Sequence, residues 1–199
     1  TTAKGREQII NNEELKSLKK ILGLQTDKKY QKVDQLRYGR IMIMTDQDVD
    51  GSHIKGLIFN VFHTMWPDLM KIDRSFLTSM LTPIIKVTKN KIVKSFYTLT
   101  DFDNWKEQNN NGKGWNTKYY KGLGTSTTKE AKEYFTELKQ VEYEWSDQSD
   151  QSMELAFNKD LADNRKEWLR QYDKNLTVDV AASKMDYSQF VNRDLIHFS

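Results

Sequence analysis

The 199-residue chain contains no cysteine, only two prolines, and no apolar run near the roughly 20 residues that a membrane-spanning helix requires. The missing cysteines exclude disulfides, thiol nucleophiles and Cys-based zinc sites together. Net charge is small as well, +3 from 31 Lys+Arg against 28 Asp+Glu, too little in sum to imply a nucleic-acid partner. Thr1-Thr2-Ala3-Lys4-Gly5 offers neither an initiator Met nor the apolar region of a signal peptide, so the expectation is a piece of a longer chain. What the chain does have is aromatic mass: five Trp, nine Tyr and nine Phe, which argues against disorder. The length suits one domain, or one domain with a small appendage, around a real core.

Charge is informative only locally. Residues 1–40 hold ten Lys/Arg against five Asp/Glu, residues 113–132 five Lys against one Glu, and residues 142–160 six acids against one Lys. Patches of one sign steer charged ligands, although a solvated face with no partner is the commoner outcome.

Apolar spacing predicts a helix from Arg6 to Leu24 that Gly23 could end, followed by a polar loop over residues 25–36. Arg40 to Thr45 is continuously apolar through Ile41-Met42-Ile43-Met44 and reads as a strand buried on both faces. Ile54, Leu57, Ile58, Val61, Phe62 and Met65 then predict the clearest amphipathic helix of the chain, which Pro67 must kink or restart. Phe76 to Met80, Ile84 to Thr88, Ile92 to Tyr97 and Trp115 to Lys121 read as strands. Asp101 to Gln108 reads as a short helix, and residues 109–114 as a loop. Thr127 with Glu130 forms a capping box that starts another helix. Ser146 to Ser152 reads as an acidic linker, Leu161 to Tyr172 as a charged helix, and residues 173–199 as a weakly patterned tail. Alternating strands and helices indicate an α/β fold with a partly parallel sheet.

Three segments carry candidate chemistry. Asp46, Asp48 and Asp50 stand at every second position directly after the apolar strand, a spacing that puts side chains on one side of an extended chain. Carboxylates packed this closely repel unless a cation offsets them, and their hard oxygens suit Mg²⁺. An EF-hand is excluded, because its twelfth position is Leu57 where a bidentate Glu is needed and a strand precedes the loop. An acidic turn that merely caps the next helix is the competing explanation. Three alternating aspartates after such a strand favour the metal. The second segment is Lys118-Tyr119-Tyr120-Lys121-Gly122-Leu123-Gly124-Thr125-Ser126, a glycine turn between lysines ahead of a capped helix. It suits a phosphate cradle and a plain tight turn about equally. In the third, Asp163-Asn164-Arg165-Lys166-Glu167-Trp168-Leu169, adjacent cations could grip a DNA backbone, but the wet face of an amphipathic helix is the better reading.

Taken in order, these residues resemble a known family. Ile41 to Leu57, with Met44-Thr45-Asp46-Gln47-Asp48 at its centre, is similar to the second half of the TOPRIM domain of eukaryotic-type DNA topoisomerase II. Thr82-Pro83-Ile84-Ile85-Lys86-Val87, Lys118 to Ser126, Lys129 to Phe135 and Asp163 to Leu169 follow in family order, so the likeness runs from about Gln8 to Ser199. The resemblance implies a TOPRIM-type sheet flanked by helices with a mainly helical C-terminal extension. It divides the chain into a partial TOPRIM domain, 1–145, and a segment 146–199 leading toward a winged-helix domain. It further implies that Asp46 and Asp48 bind Mg²⁺ with Asp50 as third acid. Lys121 and Gly122 would lie near DNA, and Arg165 and Lys166 would touch its backbone. The implied parent is an ATP- and Mg²⁺-dependent homodimer on duplex DNA, nuclear if cellular, or viral or host-cytoplasmic if from a large DNA virus.

Departures from the family pattern matter equally. The family's Glu-Gly-Asp-Ser-Ala segment, its nucleophilic tyrosine and its ATPase domain have no counterpart among these residues, so the 199 residues alone are expected not to cleave DNA. Alternatives are a separate TOPRIM subunit of a split phage- or virus-type enzyme, and a TOPRIM nuclease or primase. The latter would not be expected to carry the Lys-Gly-Leu-Gly and Arg-Lys-Glu-Trp segments found here.

Overall fold

A computed structural model describes residues 11–72, 75–173 and 182–199. Helix α1, Glu13–Leu22, begins where the Asn12 side chain accepts the Leu15 N–H at 2.9 Å and ends at Gly23, whose φ of 76° suits glycine. The first residues of the predicted Arg6–Leu24 helix lie outside the described residues. Strand β1, Ile41–Ile43, leads through the acidic loop into α2, Val49–Met65. Pro67 then opens α3, Pro67–Ile72, at the one helical position where its missing N–H is harmless.

Two sheets follow. The first has strand order β1-β2-β6-β7, with β2 spanning Leu77–Met80, β6 Gln140–Glu144 and β7 Lys184–Asp186. Within it β1 runs parallel to β2, β6 antiparallel to β2, and β7 parallel to β6. The second is antiparallel, order β4-β3-β5, from Ile85–Lys89 (β3), Ile92–Phe96 (β4) and Asn116–Tyr119 (β5). Asn90, at φ 55°, makes the β3–β4 turn. Helix α4, Leu99–Gln108, lays Phe102 and Trp105 on Ile85, Val87 and Phe96 to form a small separate core. The capping box at Thr127 starts α5, Thr128–Thr136, as expected. Then come α6 (Ser149–Phe157), α7 (Ala162–Arg170) and, after β7, α8 (Tyr187–Arg193).

The main core joins the first sheet to α2 and α8. Phe59 of α2 meets Tyr143 of β6 and Tyr187 and Phe190 of α8 edge-on, at centroid distances of 4.6, 5.2 and 4.9 Å.

The structure corrects four readings. Strand β1 is an edge strand among the described residues, with Ile41 and Met42 half-buried and Met44 exposed, not a strand buried on both faces. The buried face of α2 is Ser52, Lys55, Gly56, Phe59, Phe62 and His63, while Ile54 and Leu57 are exposed. Polar side chains sit on that face because each has a partner there, as with His63 Nε2 and Asp150 Oδ1 at 2.8 Å. The acidic stretch after Ser146 is not a linker from end to end: α6 begins at Ser149, and the Ser152 hydroxyl donates to that of Ser188 at 2.8 Å. Finally, the tail carries β7 and α8, while residues 174–181 of it lie outside the described residues.

Candidate metal and nucleic-acid site

The acidic loop lies at the C-terminal end of β1, where open sheets with parallel strands place ligands. Its three aspartates do three different things. The Asp46 carboxylate accepts the Leu123 N–H through Oδ1 at 2.7 Å, bringing the loop onto the glycine turn 77 residues later. Gln47 anchors the loop to β2 by donating from Nε2 to the Met80 carbonyl at 2.9 Å. Asp48 is extended, at φ −130° and ψ 179°, and caps α2 by accepting the Gly51 N–H at 2.7 Å. Asp48 therefore caps α2 with one of its two carboxylate oxygens. Asp50 already belongs to the first helical turn and is exposed, and the chain bends at Gln47 and Asp48, so the extended-chain spacing is not kept through the three aspartates. Among the described residues no three His, Asp or Glu side chains cluster as a metal site. Asp46 and Asp48 nevertheless use one oxygen each in these bonds, which leaves two hard carboxylate oxygens on one loop.

Gly51 makes the loop possible. A Cβ there would lie 2.0 Å from the Asp46 backbone oxygen, closer than any real contact.

Behind the loop, α2 is tied to the end of the chain. Asp194, which follows α8, accepts from Ser52 Oγ at 2.5 Å and from Lys55 Nζ at 2.8 Å. Burial works against the Lys55 charge, yet Tyr143 and the Asp194 carboxylate hold its pKa above the ordinary lysine value. Neither Lys55 nor Asp194 stands out in the sequence, since each is a charged residue amid helical or polar surroundings.

The glycine turn is organised by Glu130. Its carboxylate accepts the Thr127 N–H at 2.7 Å, pairs with Lys118 Nζ at 2.9 Å, and accepts the Tyr120 hydroxyl. Partial burial would raise this carboxyl, but the Thr127 backbone, Tyr120 and Lys118 together hold it at about 2. Tyr120 is pushed well above the ordinary tyrosine range, first by burial and then by that bond, so it stays a donor. A folded pKa below the ordinary 4.5 means that Glu130 stabilises the turn above pH ~4.5 and loses this as pH falls toward 2. Protection factors of the amides at residues 127–131, corrected for the intrinsic exchange rate at each pH, should accordingly fall across that window. Glu130→Gln should flatten the response and cost about 1–2 kcal/mol at neutral pH. A wild-type profile that stays flat from pH 5 to 2 would refute the role. The capping box was legible in the sequence; the Tyr120 and Lys118 partners, ten and twelve residues away, were not.

Lys121 is exposed at the mouth of the turn, and Gly122 packs against Asp46. Arg165 donates from Nη1 to the Leu155 and Asn158 carbonyls at 3.1 and 2.6 Å, where it caps the C-terminal end of α6. Lys166 is exposed and pairs with Asp163 at 2.9 Å. Trp168 turns inward against the core, its indole donating to Asn192 at 2.8 Å, as the wet-face reading of α7 requires.

A mixed sheet that ends in an acidic loop, met by a lysine-flanked glycine turn, makes this an α/β protein with its candidate site where the two sheets approach. Comparison with known proteins makes this specific. The family model described as the C-terminal associated domain of TOPRIM matches residues 80–199, and the chain belongs to that family. Over 96% of its length it is 50% identical to DNA topoisomerase 2 of Arabidopsis thaliana and 45% identical to DNA topoisomerase 2-alpha of Mus musculus. It spans 13% and 14% of those relatives. Among solved structures it superimposes on the Plasmodium falciparum topoisomerase II DNA-binding, cleavage and re-ligation domain with a TM-score of 0.91 at 42% identity. That match covers 96% of this chain and 26% of the other.

Proposed function

We propose that these residues serve a type II DNA topoisomerase, an ATP-dependent homodimer acting on duplex DNA in the nucleus, to which they contribute cation ligands and DNA-backbone contacts. The observation that carries the reading is the near-complete superposition on a DNA-binding, cleavage and re-ligation domain at 42% identity. At that identity the site residues, as well as the fold, are expected to be shared.

Asp46 and Asp48 would hold Mg²⁺, which takes one or two carboxylates and fills its remaining positions with water and phosphate oxygens. Two free oxygens on one loop fit that habit, while Asp50, in the first turn of α2, is the third acid of the segment. Once bound, the ion supplies charge to stabilise the oxygens of a phosphodiester undergoing displacement. The chain's own part is to hold those two carboxylates while Lys121, Lys166 and the remaining guanidinium donors of Arg165 meet phosphates.

Lys121 and Lys166 make the sharper test, since neither holds an element together, whereas Arg165 also caps α6. In the longest natural chain bearing these residues, Lys121→Ala with Lys166→Ala should weaken DNA binding at every sequence. It should also reduce the slope of log affinity against log salt by about 2, since each phosphate contact contributes ~0.9. An unchanged slope would refute the contacts.

A further inference from the structure

We propose that Gly122 and Leu123 form a seat that fixes the Asp46 carboxylate, which makes the Lys121–Thr125 turn a positioning element for cation binding at the acidic loop. The inference rests on the reading of Asp46 as a cation ligand.

Gly122 has φ −179° and ψ 177°, an extended conformation open to any residue. Its backbone therefore gives no reason for glycine; the space beside it does. A Cβ at Gly122 would stand 2.5 Å from Asp46 Oδ2, 2.7 Å from Cγ and 2.8 Å from Oδ1, so the carboxylate occupies the place of the missing side chain. One residue on, the Leu123 N–H donates to Oδ1 at 2.7 Å and sets the rotation of the group. At Gly124 the same construction meets nothing within 4 Å, so the constraint is specific to one of the two glycines.

The seat is firmer than what sits in it. The Gly122 carbonyl accepts the Thr125 N–H at 3.1 Å and the Thr125 hydroxyl at 2.7 Å. Upstream, Tyr120 N–H donates to the Ile84 carbonyl at 2.8 Å, and downstream the Glu130 bonds close the turn. A methyl group added at Gly122 would thus displace the free end of a flexible aspartate rather than the backbone, and the fold would survive. Lys121 is the adjacent residue, so one short turn carries both a cation for phosphate and the support of a ligand for metal.

Mn²⁺, a paramagnetic stand-in for Mg²⁺, provides a readout that needs no turnover. Its binding is measured by electron paramagnetic resonance on the longest natural chain bearing these residues, alongside the thermal midpoint. Gly122→Ala should weaken Mn²⁺ binding 10- to 100-fold, the usual effect of losing a group that orients a ligand, with the midpoint moved by less than about 2 °C. Gly124→Ala should keep the wild-type affinity, and Asp46→Asn should lose it. Wild-type affinity in Gly122→Ala, with loss in Asp46→Asn, overturns the seat alone. Wild-type affinity in Asp46→Asn overturns the cation reading and the seat with it. Weaker binding accompanied by a large fall in midpoint makes Gly122 a packing residue and also overturns the seat.

Discussion

Asp194→Ala is expected to destabilise the protein by about 3 kcal/mol or more, the lower end of the cost of stranding a buried charge. The carboxylate is the partner of Lys55, whose side chain is only 9% exposed, and it also accepts the Ser52 hydroxyl. Alanine would leave the ammonium without an anion in a place water reaches poorly. For a chain of this size that corresponds to a fall of roughly 6–12 °C in thermal midpoint. Replacing both partners by apolar residues, Lys55→Met with Asp194→Leu, should recover much of the loss, because a buried pair contributes less than its disruption costs. Denaturant unfolding of the three variants tests this. An Asp194→Ala penalty under 1 kcal/mol, or a double variant no better than the single, would show the pair to be incidental.

Gly51→Ala should be comparably severe, for a different reason. The added carbon would overlap the Asp46 backbone oxygen at 2.0 Å, and a main chain cannot move aside as a side-chain tip can. The first turn of α2 must shift, which breaks the Asp48 cap, worth about 1 kcal/mol, in addition to an overpacking cost of up to ~3 kcal/mol. Gly56→Ala meets only the side-chain tips of Phe157 and Leu195, at 3.0 and 3.1 Å, and should cost less. Thermal midpoints should therefore fall in the order Gly51→Ala, Gly56→Ala, Gly122→Ala, with the last nearly unchanged. A mild effect at Gly51 would mean that the loop adopts another backbone path.

How far the sequence revealed this arrangement depends on the range of the interaction. The end of α1 at Gly23, the restart at Pro67 and the box at Thr127 rest on bonds within a few residues, and all three were legible. Strand β6 was not, although Val141 and Tyr143 alternate with Gln140, Glu142 and Glu144 as a strand should. Its acids blended into the negative stretch that follows. The face of α2 was misjudged because Lys55 and Ser52 are satisfied by Asp194, 139 and 142 residues away, and no local pattern announces that. At the candidate site both the aspartates and the glycine turn stood out, but their contact did not, because it links two sheets.

The position of Asp194 also bears on the order in which the protein can mature during synthesis. Helix α2, with Asp48 at its head, leaves the ribosome well over a hundred residues before the carboxylate that neutralises Lys55, and β7 joins the sheet equally late. Contacts that distant in sequence close slowly and only after the intervening chain exists. Until then burial of Lys55 lacks its anion and is costly, so the helix behind the acidic loop reaches its final packing only after Asp194 is in place. A chain stopped short of Asp194 would still hold the Asp46–Leu123 and Asp48–Gly51 bonds of the acidic loop, but the helix behind it would lack its anchor to the tail.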